Sequence, residues 1–383
     1  MKKYFRAIRI ILVLGISLSI WTAISSFYSL STDQKDKSTG PKIINSNFHL
    51  KSALPTNISE NMTLNIASYK TSKDSHFPFD ILMKPRQNRK DIFLLIFTFT
   101  AVDDYVMRDT IRKTWGSYAT ESSTFSPKCK QIFLIGKPVE GNGKVQLDYE
   151  HKNYNDILQY DFLDTYPNLT LKTLSMLDYV SKFYSYGRFF IKADTDVLIN
   201  IPLFVARFQN LNHLKRSVWG MVNYAQPIQR TGKYRMPEEV LPMQYYPPYT
   251  SGPCYFLTVD LVDDLLQQFK RLSYQLLIED VFVTGILMLN ISGHHVHDQD
   301  WYRLQIKDKG PMAMCDYKRN KAVCLEYTKT KIMELWNEHE TETCADVPSE
   351  GELVRENIRL HRKEGHIYLM KEQRVRLKEN RLK

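Results

Sequence analysis

Continuous apolar runs of strand length recur through the middle of the chain, separated by stretches with a helical pattern of apolar positions. The runs are DIFLLIFTF at 91–99, QIFLIG at 131–136 and RFFIKA at 188–193, and unbroken apolar runs are typical of strands buried on both faces. Helical patterns lie at 108–115 and around 171–184. Because strands alternate with helices, the sequence predicts an α/β domain with a mainly parallel central sheet.

A longer apolar run near the amino terminus predicts a transmembrane signal anchor. Residues 10–32 contain no charged side chain, and a helix of that length, at ~1.5 Å per residue, covers a ~30 Å hydrocarbon layer. Basic residues before the run favour a cytosolic tail at 1–9 and a lumenal or extracellular remainder; they are Lys2, Lys3, Arg6 and Arg9. The alternative is a cleaved signal peptide.

The composition changes on either side of the apolar middle. Residues 33–90 are rich in Ser, Thr, Asn, Lys and Pro, which predicts a flexible stem. We expect the globular domain over 91–347 and a charged tail over 348–383. Much of the net charge of +10 lies at the two ends, and the folded part contains no zinc-finger spacing or RNA-binding aromatic motif, so we expect no nucleic-acid partner.

Two further features agree with a secretory compartment. Acceptor tripeptides for N-glycosylation occur at four positions, Asn57, Asn61, Asn168 and Asn290. The chain has five cysteines, which in an oxidising compartment permit two disulfides and leave one thiol over, with a connectivity that the sequence does not define.

The apolar run at 188–193 continues into two carboxylates, Asp194 and Asp196. An isolated carboxylate in a dry interior is costly unless it is protonated, paired or bound to a cation. Strand alternation would direct both side chains to one face, with Thr195 on the other. Two hard oxygen ligands at the carboxyl end of a parallel strand are suited to Mg²⁺ or Mn²⁺. We therefore expect a metal site here; the alternative is an ordinary pair of turn or cap residues.

Five motifs together resemble the β-1,3-galactosyltransferase and β-1,3-N-acetylglucosaminyltransferase family of Golgi glycosyltransferases, family 31. They occur in the family's order within about residues 90–300: RDTIRKTWG, YNDILQYDFLDTYPNLTLKT, FFIKADTDVLIN, YPPYTSGPCYFLT and IEDVFVTG. The resemblance implies a GT-A-type catalytic domain in a type II Golgi membrane protein. It also implies Mn²⁺ held against the diphosphate of a UDP-sugar, and an inverting transfer of galactose or an N-acetylhexosamine in β1,3 linkage to a glycan on a glycoprotein or glycolipid.

An inverting transfer needs a base for the acceptor hydroxyl, and the acidic pair Glu279 and Asp280 is the best candidate. Adjacent residues do not face the same way, and the resemblance favours Asp280 as the base, with Glu279 beside it. Otherwise the pair simply complements a helix dipole. The resemblance further implies that a set of residues contacts the donor: Arg108, Arg112, Lys172, Asp194, Tyr249 and Gly252.

The chain departs from the family pattern at three places. Thr250 stands where relatives usually have Cys and Pro253 where they have Gly, so a disulfide of the relatives is absent or rerouted through Cys254. The stretch 321–330 has no His where relatives have a metal-binding one; the histidines at 294, 295 and 297 lie earlier. Two other functions therefore stay open: a catalytically inactive glycan-binding or partner-binding relative, and an adhesive membrane protein with a basic tail.

Overall fold

The computed structural model describes residues 63–64, 78–86, 91–138, 143–210, 214–238, 240–272, 275–276, 278–298, 302–304, 323–325 and 329–341. All of them belong to one compact unit, Lys51–Lys383. The predicted anchor at 10–32 and the predicted tail at 348–383 lie outside the described residues. Among the helices in the described ranges, none has the length and apolar character needed to cross a membrane.

An eight-stranded mixed sheet forms the centre of the described fold. Its strands are β1 (Ile81–Met83), β2 (Leu94–Phe99), β3 (Cys129–Lys137), β4 (Ile157–Leu163), β5 (Phe189–Asp194), β6 (Ser217–Gly220), β7 (Cys254–Thr258) and β8 (His294–His297). They lie in the order β8, β6, β7, β5, β2, β3, β4, β1. Strands β2 to β5 are parallel, and β8 is parallel to β6. Only β7 and β1 run against their neighbours, which confirms a mostly parallel sheet.

Helices connect and cover these strands. They are α1 (Tyr105–Lys113), α2 (Lys144–Tyr154), α3 (Leu169–Phe183), α4 (Ile201–Phe208), α5 (Val262–Arg271) and α6 (Lys329–Thr341). Short 3-10 helices span Trp115–Ala119, Tyr166–Asn168 and Val259–Leu261, and a π-helical turn, Val281–Ile286, leads into a 3-10 turn, Leu287–Asn290. Short strands form small pairings outside the main sheet: Thr63–Leu64 with Gln275–Leu276, Val222–Asn223 with Tyr249–Thr250, and Val323–Leu325 between Leu198–Ile199 and Tyr302–Leu304.

The apolar runs are buried as the sequence predicts. Every residue of β2 is buried, and in β5 the five residues before Asp194 are buried. Aromatic rings from β5, α4, β6 and β7 pack edge to face or stack on one side of the sheet; they are Phe189, Phe204, Phe208, Trp219 and Phe256. This packing fixes β5 and β7 relative to each other, and the candidate site lies at the end of β5.

One boundary differs from the sequence prediction. The predicted stem, 33–90, includes β1, which pairs with β4 at the edge of the main sheet, so the folded domain begins before residue 91. The histidines at 294, 295 and 297 lie on β8, a strand of the main sheet. His297 Nδ1 accepts a hydrogen bond from the Val222 amide at 3.0 Å, and His295 Nε2 bonds to the Thr284 carbonyl at 2.5 Å. These two ring nitrogens therefore hold the edge of the sheet.

Candidate active site

A cavity of about 490 Å³ opens at the carboxyl end of β5. Five parts of the chain line it: the end of β5 with the turn after it, the start of α3 with the short helix before it, the segment 226–234, the loop that leads into β7, and the start of the helical segment Val281–Asn290. Six of the residues that the sequence singles out line this cavity: Asp194, Asp196, Tyr249, Gly252, Glu279 and Asp280. The structure thus brings the predicted metal ligands and the predicted base into one site.

The two aspartates reach the cavity in different ways. Asp194 is the last residue of β5, whereas Asp196 lies in the turn that follows. The expectation that strand alternation aligns both side chains is therefore wrong in its reason, because Asp196 is not on the strand. A backbone hydrogen bond of 2.9 Å from the Asp194 amide to the Pro253 carbonyl ties the strand end to the loop before β7.

The donor chemistry of this wall fits Mn²⁺. Asp194 keeps 39% of its side-chain area exposed, and Asp196 is half-buried at the same cavity. No group of three or more His, Cys, Asp or Glu side chains arranged for a metal ion occurs in the described part of the chain. Two carboxylates leave most coordination positions of a divalent ion to phosphate oxygens and water, as is usual for nucleotide-bound Mg²⁺.

Lys192 is a site residue that the sequence analysis did not assign. It is buried on β5, and its Nζ lies 2.6 Å from Asp194 Oδ1, 2.6 Å from the Gly252 carbonyl oxygen and 3.8 Å from Glu279 Oε2. Burial alone would lower the pKa of Lys192, but the carboxylates of Asp194 and Glu279 outweigh burial and raise it. One ammonium therefore links the strand end to the acidic pair. The signal was a lysine inside an apolar strand, two residues before Asp194.

Glu279 is buried behind the cavity wall. Its Oε1 accepts hydrogen bonds from Thr173 Oγ1 of α3 at 2.7 Å and from the Tyr255 hydroxyl of β7 at 2.6 Å. Burial raises the pKa of Glu279 to about 7, and the Asp280 carboxylate adds to the rise, whereas Lys192, Tyr255 and Thr173 act in the opposite direction. Close to neutral pH this side chain is thus poised between its two charge states.

Replacing Glu279 with Gln should reduce the loss of unfolding free energy as the pH rises from about 4.5 to 7. An acid with a raised folded-state pKa destabilises the fold progressively as the pH rises from its unfolded value, 4.5, towards about 7. Relative to Glu279→Gln, the wild type should lose on the order of 3 kcal/mol of unfolding free energy between about pH 4.5 and pH 7. Urea denaturation at several pH values measures this. The exposed Glu238→Gln should follow the wild type, and parallel curves for Glu279→Gln and the wild type would contradict the assignment.

Asp280 is oriented by two backbone amides. Its Oδ2 accepts from the Gly252 amide and its Oδ1 from the Val281 amide, both at 2.9 Å. Burial raises the pKa of Asp280, and these amides and Lys192 limit the rise. A Cβ on Gly252 would lie 3.3 Å from Asp280 Oδ2, so glycine permits this close approach. Asp280 caps the helical segment and also lines the cavity, while Glu279 points into the interior.

The loop before β7 is fastened without a disulfide in the described structure. The Thr250 amide donates to Thr284 Oγ1 at 2.8 Å, and Thr284 Oγ1 also lies 2.6 Å from the Asp280 carbonyl oxygen. Cys254 is a buried free thiol, so no disulfide is rerouted through it. These contacts place Tyr249 on the cavity wall, with its ring edge to face with Tyr246 at 5.9 Å.

Arg108 and Arg112 lie in a buried ion cluster outside this cavity. Arg108 donates from Nε and one terminal nitrogen to Glu150, both at 2.8 Å. Arg112 pairs with Glu150 and Asp156 at 2.8 Å, and lines a second cavity, of about 550 Å³, near the start of β3. The structure therefore does not bring the two arginines, which the resemblance placed at the donor, into the cavity of Asp194 and Asp280.

Arg108 and Lys172 instead hold the loop after β2. Arg108 donates to Thr100 Oγ1 at 2.9 Å and to the Ala101 and Val102 carbonyls at 2.5 and 2.8 Å. Lys172 Nζ donates to the Thr100 carbonyl at 2.9 Å and pairs with Asp164 at 2.6 Å. The end of β2 is paired with Asp194 of β5. Both predicted donor-binding cations therefore stabilise a loop beside the site and do not line the cavity.

Replacing Arg108 with Met should destabilise the fold strongly. Breaking a buried charge pair leaves an uncompensated carboxylate, which costs about 3–5 kcal/mol of unfolding free energy. Lys113→Met, which removes an exposed pair with Asp109 on the same helix, should leave the denaturation midpoint unchanged. Chemical denaturation of the full chain measures both. Equal midpoints for the two variants would show that the Arg108 cluster does not support the fold.

The predicted modification sites have different surroundings. Asn290 is exposed at the end of its helical turn. Asn168 is half-buried, and its side-chain amide donates to the Leu163 carbonyl at 2.7 Å. Asn57 and Asn61 lie outside the described residues. Cys129 is, like Cys254, a buried free thiol.

Comparison with known proteins identifies the family of the chain. The galactosyltransferase family model matches residues 106–299, a range that contains both aspartates and the acidic pair. The chain is 31% identical over 275 residues to the lactosylceramide 1,3-N-acetyl-β-D-glucosaminyltransferase of Rattus norvegicus, covering 70% of this chain and 71% of the relative. The Homo sapiens protein of the same name is 31% identical over 256 residues, 65% of this chain and 67% of the relative.

Among solved structures, the bifunctional glycosyltransferase WbbM is similar with a TM-score of 0.38 and 10% sequence identity, over 71% of this chain and 53% of that chain. The fold and the site define an α/β protein with an acidic cavity at a strand end. The family-model match over half of the chain, together with the relatives, shows that the chain belongs to the galactosyltransferase family and has a glycosyltransferase domain.

Proposed function

We propose that this protein is an inverting hexosyltransferase that moves galactose or an N-acetylhexosamine from a UDP-sugar to a glycan acceptor in β1,3 linkage. The observation that supports it best is the meeting of Asp194 and Asp196 with Asp280 in one cavity. The relatives' name, lactosylceramide 1,3-N-acetyl-β-D-glucosaminyltransferase, favours UDP-N-acetylglucosamine as the donor and a lactose-type terminus as the acceptor.

Asp194 and Asp196 would hold Mn²⁺ in this enzyme. When bound, the ion supplies Lewis-acid stabilisation to the diphosphate that leaves. Lys192, bonded to Asp194 Oδ1, fixes the orientation of that carboxylate and leaves its other oxygen for the ion. Gly252 allows the loop backbone to approach Asp280, so the metal side and the acceptor side of the site are held by one loop.

Asp280 would act as the general base. Its carboxylate removes the proton from the acceptor hydroxyl as the hydroxyl oxygen attacks the anomeric carbon of the donor from the face opposite the diphosphate. The bond to the leaving oxygen breaks as the new glycosidic bond forms, which inverts the anomeric centre. The amides of Gly252 and Val281 keep the carboxylate oriented. The buried Glu279 and Lys192 determine the net charge next to the Asp280 carboxylate.

The same proposal includes the setting of the enzyme. The uncharged run at 10–32 after a basic amino terminus supports a single-pass type II anchor, a stem after it and a lumenal catalytic domain. The glycosylation tripeptides support the secretory pathway, with the Golgi membrane as the compartment that the family resemblance implies. The partners are then a UDP-sugar and an oligosaccharide on a glycoprotein or glycolipid.

Calorimetric titration tests the donor site. UDP titrated into the full chain in a mild detergent should bind with Mn²⁺ and lose most of its affinity when the metal is chelated. Tight binding that is indifferent to the chelator would contradict the role of the aspartates. No binding with any divalent ion would contradict the proposed function and favour a non-catalytic glycan-binding relative.

A further inference from the structure

Two tyrosines and a lysine form a cluster at the same cavity, here called the tyrosine–lysine clamp: Tyr166, Lys233 and Tyr234. Tyr166 starts the short helix before α3, whereas Lys233 and Tyr234 come from the segment between β6 and β7. Tyr166 is 56% exposed and Tyr234 45% exposed, so both rings are accessible to a ligand. Tyr166 lies within the motif at 154–173, but neither the sequence analysis nor the proposed chemistry gives any of the three residues a role.

The lysine is held over both rings. Its Nζ lies 5.0 Å from the centre of the Tyr166 ring and 5.2 Å from the centre of the Tyr234 ring. Both distances are within the range of cation–π attraction. Such contacts orient an ammonium without neutralising its charge, because a ring carries no net charge. Lys233 thus retains a full positive charge beside a sugar-sized cavity.

Lys233 also differs from the other cations nearby. Across the described residues, no carboxylate lies within ion-pairing distance of it. Lys192 is paired with Asp194. Arg230, on the same segment, donates to the carbonyls of Met236, Leu241 and Met243.

The segment that presents Lys233 has a defined shape. Gly232 adopts a left-handed φ of 79°, a conformation that glycine accepts without strain. The Met236 amide donates to the Gln229 carbonyl at 2.7 Å, and the Arg235 amide donates to the Gly232 carbonyl at 3.2 Å. Arg230 therefore serves the fold of the segment, whereas Lys233 lies at the cavity between two rings.

We infer that Lys233 binds an oxyanion of the substrate at this cavity, while Tyr166 and Tyr234 pack against a sugar ring. The oxyanion is the diphosphate of the donor or a sulfate or carboxylate on the acceptor sugar. This inference rests on the proposed function, because it requires a UDP-sugar and a glycan in the cavity. A neutral ligand alone would gain little from an ammonium that has no counter-ion.

The first arm of the test concerns the donor. UDP is titrated with Mn²⁺ into the full chain carrying Lys233→Met, Lys233→Arg or Arg235→Met. Arg235 is exposed on the same segment and does not line the cavity, so its variant removes the same charge from a neighbouring position. If the diphosphate is the oxyanion, Lys233→Met should weaken UDP binding about five-fold, as expected for a partly exposed ion pair. Lys233→Arg and Arg235→Met should match the wild type.

The second arm concerns the acceptor. Lactose and its 6′-sulfate are titrated into chains saturated with UDP and Mn²⁺. If the acceptor carries the oxyanion, the wild type should prefer the sulfated sugar about five-fold, and Lys233→Met should lose that preference while Arg235→Met keeps it. An effect in either arm supports the inference and identifies the source.

The two proposals fail in different ways. If the wild type binds UDP and Lys233→Met behaves like Arg235→Met in both arms, the role of Lys233 is overturned and the proposed function stands. If the wild type does not bind UDP with any divalent ion, the proposed function itself fails, and the inference fails with it.

Discussion

Asp280→Asn should lower sugar transfer about a thousand-fold while UDP affinity with Mn²⁺ stays within about two-fold of the wild type. The amide has nearly the shape of the carboxylate and keeps one oxygen, which can accept from either the Gly252 or the Val281 amide, but it cannot take the acceptor proton. Initial rates of UDP release with an acceptor, together with UDP calorimetry, separate the two effects.

Two further variants serve as controls. Asp148→Asn, an exposed site on α2, should match the wild type in both measurements. Glu279→Gln should lose less transfer than Asp280→Asn, because Glu279 is bonded to Thr173 and Tyr255 behind the wall. A greater loss in Glu279→Gln than in Asp280→Asn would mean that the two acids exchange roles.

Asp196→Ala should weaken Mn²⁺-dependent UDP binding about a hundred-fold, to the level of the wild type with chelator. The physical reason is that Asp194 and Asp196 are the two proposed protein ligands of the ion, so that losing one removes about half of the protein's share of the ligation. Chemical denaturation of the variant checks that the fold is kept.

Asp148→Ala, which removes a carboxylate at an exposed site on α2, provides the matched control for charge. UDP affinity that is equal in Asp196→Ala and the wild type, and equally sensitive to chelator, would show that the metal is held elsewhere. Asp194→Ala is a poorer test, because its loss also leaves Lys192 without its closest partner and changes the fold and the site together.

The sequence predicts the strands whose burial on both faces requires an almost continuously apolar composition. Strands β2, β3 and β5 are covered on both faces, so their runs are almost continuously apolar, and two aspartates directly after such a run are readily noticed. Strand β1 is only three residues long at the edge of the sheet within a polar stretch, and it gives no comparable signal. The reversed direction of β7 depends on pairing with β5 and β6, which local pattern does not encode.

The site was predicted as a set of residues, but the contacts of the charged ones were not. Arg108 and Glu150 are 42 positions apart, so the sequence gives no sign that this guanidinium is already neutralised, and the family resemblance assigned it to the donor. Lys192 is two residues before Asp194 in the sequence, yet only the tertiary structure shows that it reaches Gly252 and Glu279. The structure therefore shows which charged residues pair with each other across long sequence separations, and the sequence does not.

Identification of the transferred product tests the central claim most directly. The full chain in detergent is incubated with lactose and each UDP-hexose or UDP-N-acetylhexosamine, with Mn²⁺ or with chelator, and the product's linkage and anomeric configuration are read by NMR. The account predicts a β1,3-linked trisaccharide from one UDP-sugar, with UDP released in equal amount, and no product with chelator. An α-linked product, or equal transfer in the presence of chelator, would contradict it.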